Sequence, residues 1–206
     1  MIIGLVGFIG AGKGTVADIL THEYGFIKES FANAVKDAIT PIFGWDREML
    51  EGSTPESRLW RETPDPWWSE KLGKPFSPRL ALQLMGTESG RNVFHRDIWI
   101  LSMLRRIDPN KNYVLADTRF PNEIDMVRDA GGKIIQVKRG SNPVWYNDAE
   151  AHNINTNWDG SIQVMPYHPN VHYSEWAWIG KPMDKEITND STLVGLKEKV
   201  ANIVHS

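Results

Sequence analysis

Near the amino end stands Gly7-Phe8-Ile9-Gly10-Ala11-Gly12-Lys13-Gly14-Thr15, a run whose residue types and spacing suit it to holding a chain of phosphates. Glycines let the backbone curl until several N–H groups point inward at one anion. The helix that should follow adds partial positive charge, and Lys13 adds a full one that can follow a migrating phosphoryl group. Gly10, Ala11, Gly12, Lys13, Gly14 and Thr15 are therefore the expected hosts of a nucleoside triphosphate tail. The usual pattern has Ser or Thr directly after the lysine; here Gly14 intervenes and Thr15 comes one place later. A glycine-rich turn that binds nothing is the competing reading.

The second segment able to do chemistry is Leu115-Ala116-Asp117-Thr118-Arg119-Phe120-Pro121-Asn122-Glu123. An aspartate at the carboxyl end of a parallel strand faces the crevice where ligands of such sheets bind. There Asp117 can hold Mg2+ through its water shell, as a hard oxygen ligand should, with Thr15 the other candidate contact. Arg119 can reach the same crevice and fork onto a phosphate. Asp117 as a simple cap of the next helix is the alternative.

These groups need a scaffold, and the pattern supplies one. Residues 1–6 read as a nearly continuous apolar strand buried on both faces, and Val16, Ile19 and Leu20 have helical spacing. Strands are expected at 26–28, 113–116, 134–137 and 186–188. Helices are expected over 31–39 (stopping near Pro41), from Pro78 to about 88, over 95–107, 122–130 and 192–204. On the helix at 95–107, Ile98, Leu101, Leu104 and Ile107 form the apolar face. Residues 44–78 and 141–182 read as irregular. Buried-type strands alternating with helices predict an α/β fold with a parallel sheet.

With 206 residues, the chain suits one domain with its own core. It has no cysteine, which excludes disulfides, thiolate catalysis and cysteine-bound zinc. The net charge of −3 argues against a nucleic-acid partner. No apolar run approaches the ~20 residues of a membrane helix, and no leader pattern opens the chain, so a cytoplasmic protein without a membrane partner is expected. His152, His168 and His172 with Asp148 and Glu150 lack a metal-ligand spacing and read as a solvated loop.

Gly-Ala-Gly-Lys-Gly-Thr resembles the loop of nucleoside monophosphate kinases. Together with four further segments, the chain is similar to the deoxynucleoside monophosphate kinases of tailed bacteriophages. Those segments are 31–37, 78–88 (Arg-x-x-x-Gln-Leu-x-Gly-Thr-Glu), Asp117-Thr118-Arg119, and 172–175 with 187–190. The resemblance implies a phosphate-loop kinase domain over 1–206, with an acceptor-binding excursion at about 31–108 and a lid-like one at about 140–182. It implies transfer of the γ-phosphoryl group of ATP to a deoxynucleoside 5′-monophosphate, with Mg2+. In this reading Lys13, Asp117, Arg119 and Arg139 are catalytic, Lys138 being a substitute for Arg139. Lys36 and Arg79 are cations for the acceptor phosphate, and Gln83, one turn after Arg79, reads a base edge. Glu88, Arg91 and Trp99 line the sugar–base pocket, with core packing the alternative for Trp99. His172 and Glu175 begin the return from the lid, and Arg119 and Glu175 complete the substrate-binding set with Lys36, Arg79, Gln83, Glu88 and Trp99.

Eight of the nine tryptophans fall in 45–68 and 145–178, where they are expected to give both excursions small aromatic cores. A kinase for another small metabolite and an ATP-dependent switch are the competing functions. A GTP switch is disfavoured because Asn110-Lys111-Asn112-Tyr113 lacks the aspartate of an Asn-Lys-x-Asp base reader. Base choice stays open, as does a homodimer.

Overall fold

Every residue of β1 (Ile2–Val6) is buried, as a strand covered on both faces requires. The glycine loop follows, then α1 (Lys13–Tyr24) and β2 (Ile27–Glu29). A helical stretch comes next: α2 (Asn33–Phe43), a 3-10 turn (Met49–Glu51), α3 (Pro55–Glu62), α4 (Pro66–Leu72), α5 (Pro78–Gln83), a wide π-type helix (Leu84–Phe94) and α6 (Ile98–Arg106). The chain continues through β3 (Tyr113–Leu115), α7 (Pro121–Asp129), β4 (Lys133–Lys138), α8 (Tyr146–Asn155), a 3-10 turn (Tyr173–Glu175), β5 (Lys185–Thr188) and α9 (Leu193–Val204). This computed structural model describes residues 1–205. The strands form one parallel sheet in the order β2-β3-β1-β4-β5, so the expected α/β class is the one found. Among the described residues no helix is long and apolar enough to cross a membrane.

The chain divides into two compact units, Met1–Ser30 with Ile107 onward, and Phe31–Arg106. The first holds the sheet. Ile3, Leu5, Val114, Ile135 and Val137 pack with Val16 and Leu20 of α1 and with Leu196, Val200 and Ile203 of α9. Each such buried aliphatic contributes about 1.5–3 kcal/mol relative to exposure. The parallel register pairs Gly4 with Leu115, so the chain leaves β1 and β3 at the same sheet edge. That register brings the glycine loop beside Asp117.

The second unit has the expected aromatic core. Trp45, Phe76, Ile39, Leu50 and Ala81 are buried, and Phe43, Trp60 and Trp68 pack around them. Phe43 stacks on Trp45 at 4.6 Å, while the Trp45 and Trp68 indoles donate to Asp65 Oδ2 (2.8 Å) and to the Phe43 carbonyl (3.0 Å).

Several expected boundaries move. The stretch at 44–78 contains two short helices because Pro55 and Pro66 each occupy the first helical turn. Thr54 and Asp65 cap those turns from the side chain. Proline there starts a helix rather than breaking one. Pro41 lies inside α2, which ends only at Gly44, so its missing N–H falls in the last turns. The α8 helix lies within 141–182. The face of α6 is also rotated: Trp99, Ile100 and Met103 are buried, whereas Leu101 and Leu104 are exposed. The cause is Trp99, whose indole sits where a Cβ on Gly90 would come within 2.3 Å and donates to the Gly86 carbonyl at 2.7 Å.

Candidate active site

At two glycines of the phosphate-type loop a side chain would be both strained and crowded. Gly7 has φ +140°, and a Cβ there would lie 2.2 Å from the Val137 carbonyl oxygen. Gly12, at φ +99°, caps α1, and its Cβ would lie 2.1 Å from Asn189 Nδ2. At Gly14 nothing stands within 4 Å of that position, so the space beside the loop is open. Phe8 anchors the loop's outer side against Trp178 (ring centroids 5.1 Å apart) and, edge-on, against Trp145 (5.5 Å). Two tryptophans of the second excursion thus hold the loop's shape.

Lys13 donates from Nζ to the carbonyls of Gly7 (2.6 Å) and Phe8 (2.9 Å). Burial, then the neighbouring Arg119, pull its pKa down to about 8, against the opposing pull of Glu175 and Asp117. Those four charges therefore share one locality. Ser30 Oγ donates to Asp117 Oδ2 at 2.6 Å. Arg119 Nη1 lies 3.2 Å from Glu175 Oε1 and 3.5 Å from Ser174 Oγ.

Asp117 does not cap α7. The cap residue is Phe120, and the buried Glu123 carboxylate accepts from the N–H groups of Arg119 (2.7 Å) and Phe120 (3.0 Å). Glu123 therefore fixes the backbone that carries Arg119.

Arg139 is exposed and borders an open hollow with Thr15, Gly140, Asn189 and Asp190. Lys138 is tied to Glu186 across the neighbouring strands at 3.0 Å. Hard oxygen donors, the Asp117 carboxylate and the Thr15 hydroxyl, are the groups suited to a water-clad divalent cation. Among the described residues no cluster of three His, Asp or Glu offers a denser metal cage. His168 is paired with Asp148 at 3.0 Å, and His152 packs edge-on against Trp176.

In the second unit, Lys36 is buried and donates to Glu51 Oε2 at 2.6 Å. Arg47 also pairs with Glu51, and with Asp37 at 2.6 Å. Burial works against the Glu51 charge, but hydrogen bonds from Lys36 and Arg47 prevail and hold its carboxyl below the usual range. The ammonium of Lys36 thus has a carboxylate partner within its own unit. Arg79 stands 4.0 Å from Glu62, Gln83 is half-buried on the same helix, and Glu88 is exposed. Glu88 and Arg91 lie on the π-type helix, a form concentrated at functional sites. Arg91 is buried and donates to the Arg96 carbonyl at 3.1 Å. Trp99 keeps 9% of its surface exposed, and its wedge against Gly90 is a packing role.

A glycine–lysine loop opening the first helix of a parallel sheet, with Asp-x-Arg at the end of the adjacent strand, defines a phosphate-loop α/β protein. The chain belongs to the deoxynucleotide monophosphate kinase family. The family model "Deoxynucleotide monophosphate kinase" matches residues 67–155. The chain is 33% identical over 153 residues to the "Putative deoxynucleotide monophosphate kinase" of Acanthamoeba polyphaga mimivirus, an alignment covering 68% of this chain and 74% of that protein. It is 29% identical over 182 residues to the "Deoxynucleoside-5'-monophosphate kinase" of Escherichia phage T5, covering 63% and 72% respectively. Among solved structures, a shikimate kinase from Aquifex aeolicus superposes with a TM-score of 0.47 at 12% identity, over 100% of this chain and 96% of that one.

The sequence assigns no role to three contributors, Ser30, Glu123 and Asn189, although Glu123 and Asn189 lie in segments it singles out. Asn189 stands out, because its Nδ2 donates to the Ala11 carbonyl at 3.0 Å while its backbone N–H donates to the Lys138 carbonyl at 2.7 Å. It thereby ties the loop to the ends of β4 and β5. Asn189→Ala should weaken ATP binding about tenfold in calorimetry, because the peptide after Ala11 loses its fixed orientation. The melting temperature should fall only slightly; unaltered ATP affinity would remove Asn189 from the site.

Proposed function

We propose that this chain transfers the γ-phosphoryl group of ATP to a deoxynucleoside 5′-monophosphate. The observation that carries the reading is the gathering of Lys13, Asp117 and Arg119 at the carboxyl ends of neighbouring strands, around a loop built to wrap phosphates. Family membership supplies the acceptor class. An oxygen of the acceptor phosphate attacks the γ-phosphorus as its bond to the β-phosphate oxygen breaks, giving ADP and the diphosphate with no covalent enzyme intermediate.

Catalysis of this kind is positioning and electrostatics. Lys13 and the loop N–H groups hold the β- and γ-phosphates. Arg119 clamps the transferring group. Thr15 and Asp117 would hold Mg2+ through water, and the ion neutralises charge on the triphosphate when bound. The hollow bordered by Thr15, Arg139 and Asn189 adjoins the loop and offers room for the donor. Arg139, which leaves β4 just before the lid-like segment at 140–182, is the further cation for charge on the transferring group. Within 31–108, Arg79, Gln83 and Glu88 present cation, amide and carboxylate for recognising the acceptor, while Lys36 and Trp99 keep that unit in shape.

A coupled ADP-release assay over deoxynucleoside and ribonucleoside monophosphates and unphosphorylated alcohols tests the reading. Deoxynucleoside monophosphates should raise turnover far above the hydrolysis seen without acceptor. If ATP binds and no monophosphate raises turnover, the kinase reading fails and a nucleotide switch takes its place.

A further inference from the structure

We propose that Glu175 is a built-in stand-in for phosphate: its carboxylate occupies Arg119 in the substrate-free site and sets how strongly any anion must compete for that cation. The inference rests on the reading of Arg119 as a phosphate clamp. Glu175 Oε1 lies 3.2 Å from Arg119 Nη1, and the two side chains are only 22% and 33% exposed. Partial shielding from water makes such a pair stronger than one on an open surface.

Packing fixes the spacing of the two charges. Glu175 ends a 3-10 turn that opens with the buried Tyr173 and is followed by the fully buried Trp176. Tyr173 stands 4.6 Å from Trp176 and 5.9 Å from Phe120, the neighbour of Arg119 in the chain. The Glu175 N–H donates to the His172 carbonyl at 2.9 Å, and Ser174 Oγ lies 2.8 Å from His172 Nδ1. The carboxylate is thus presented to Arg119 by a turn anchored on buried aromatic rings.

The local charges balance. Lys13 and Arg119 face Asp117 and Glu175, and the Lys13 ammonium is meanwhile satisfied by two loop carbonyls. A bare anion arriving at Arg119 has to displace Glu175 with nothing else to gain. A phosphate carried on a nucleoside brings further contacts that offset the exchange. Until such an acceptor comes, Arg119 is withheld from the γ-phosphate, so idle hydrolysis of ATP stays slow. Glu175 is in this sense a specificity-determining residue.

The test is Glu175→Gln, which keeps the shape and an oxygen for Arg119 but removes the charge. Titration of the substrate-free protein with inorganic phosphate should show binding about fivefold tighter than in the parent. ADP release from ATP without acceptor should rise by a similar factor. In an Arg119→Ala background the same change should alter neither phosphate affinity nor acceptor-free ADP release. Glu175→Ala carries the same expectation should the amide variant fail to fold, with the near-ultraviolet signal of the buried tryptophans as the check. Phosphate affinity that is unchanged or weaker overturns the proposal; a parallel loss of phosphate and monophosphate affinity would make Glu175 a direct ligand instead. Phosphate titration needs no turnover. Tighter phosphate binding without monophosphate transfer would leave this inference standing while the kinase reading fell.

Discussion

Lys13→Ala should abolish phosphoryl transfer, lowering turnover by about a thousandfold or more, while leaving the fold in place. Both halves of that expectation follow from where the ammonium sits. It is the full positive charge inside the glycine loop, and nothing else in the loop can follow charge onto the migrating group. Its contacts in the substrate-free protein are two backbone carbonyls, of Gly7 and Phe8, and no core side chain depends on it. Losing them costs about 1 kcal/mol, and release of a partly buried cation from its unfavourable surroundings offsets part of that. Lys13→Arg should fail nearly as badly, since a planar fork does not fit where an ammonium spans two carbonyls. Steady-state turnover, ATP calorimetry and a thermal melt decide the matter together. Turnover within threefold of the parent would remove the donor site. A lost cooperative melt would make Lys13 a structural residue.

The phosphate-type loop could be read from the residues because its signal is local. Gly7, Gly12 and Lys13 lie within one loop, and the buried pattern of Ile2 to Val6 announces the strand that must precede it. Asp117 and Arg119 were legible for a similar reason: they end a short apolar strand, and parallel sheets gather their ligands at strand ends. Asn189 and Ser30 are different. Asn189 meets Ala11 across 178 residues of chain and Ser30 meets Asp117 across 87, distances over which no periodicity carries information. The helical unit was misread at its boundaries because proline is ambiguous. Pro55 and Pro66 begin helices, and only the capping hydrogen bonds from Thr54 and Asp65 reveal that. Leu101 and Leu104 have ideal helical spacing yet face solvent, because one indole docked on Gly90 outweighs the aliphatic pattern. A pattern of apolar residues fixes a helix but not which of two faces a large aromatic will claim.

Arg119→Ala is the other change expected to be severe, with transfer falling about a thousandfold and ATP affinity moving only a few-fold. The asymmetry follows from the division of labour. In the proposed mechanism the triphosphate is held by the loop N–H groups and Lys13, at the turn from β1 into α1, whereas Arg119 lies in the segment that follows β3 and acts on the group in flight. A competing explanation is that the substitution merely unsettles the fold by leaving Glu175 without its partner. That carboxylate is 22% exposed, so its loss of a partner should cost about 1 kcal/mol, too little to unfold a domain of this size. Arg119→Lys separates charge from geometry: it keeps the cation but loses the fork, and should recover part of the rate, roughly tenfold over alanine. Pairing Arg119→Ala with Glu175→Gln completes the argument, because the double variant no longer holds an unpaired carboxylate. Its melting temperature should return to that of the parent while turnover stays low. Recovery of turnover along with stability would show that Arg119 acts through the fold, and the clamp would have to be sought elsewhere.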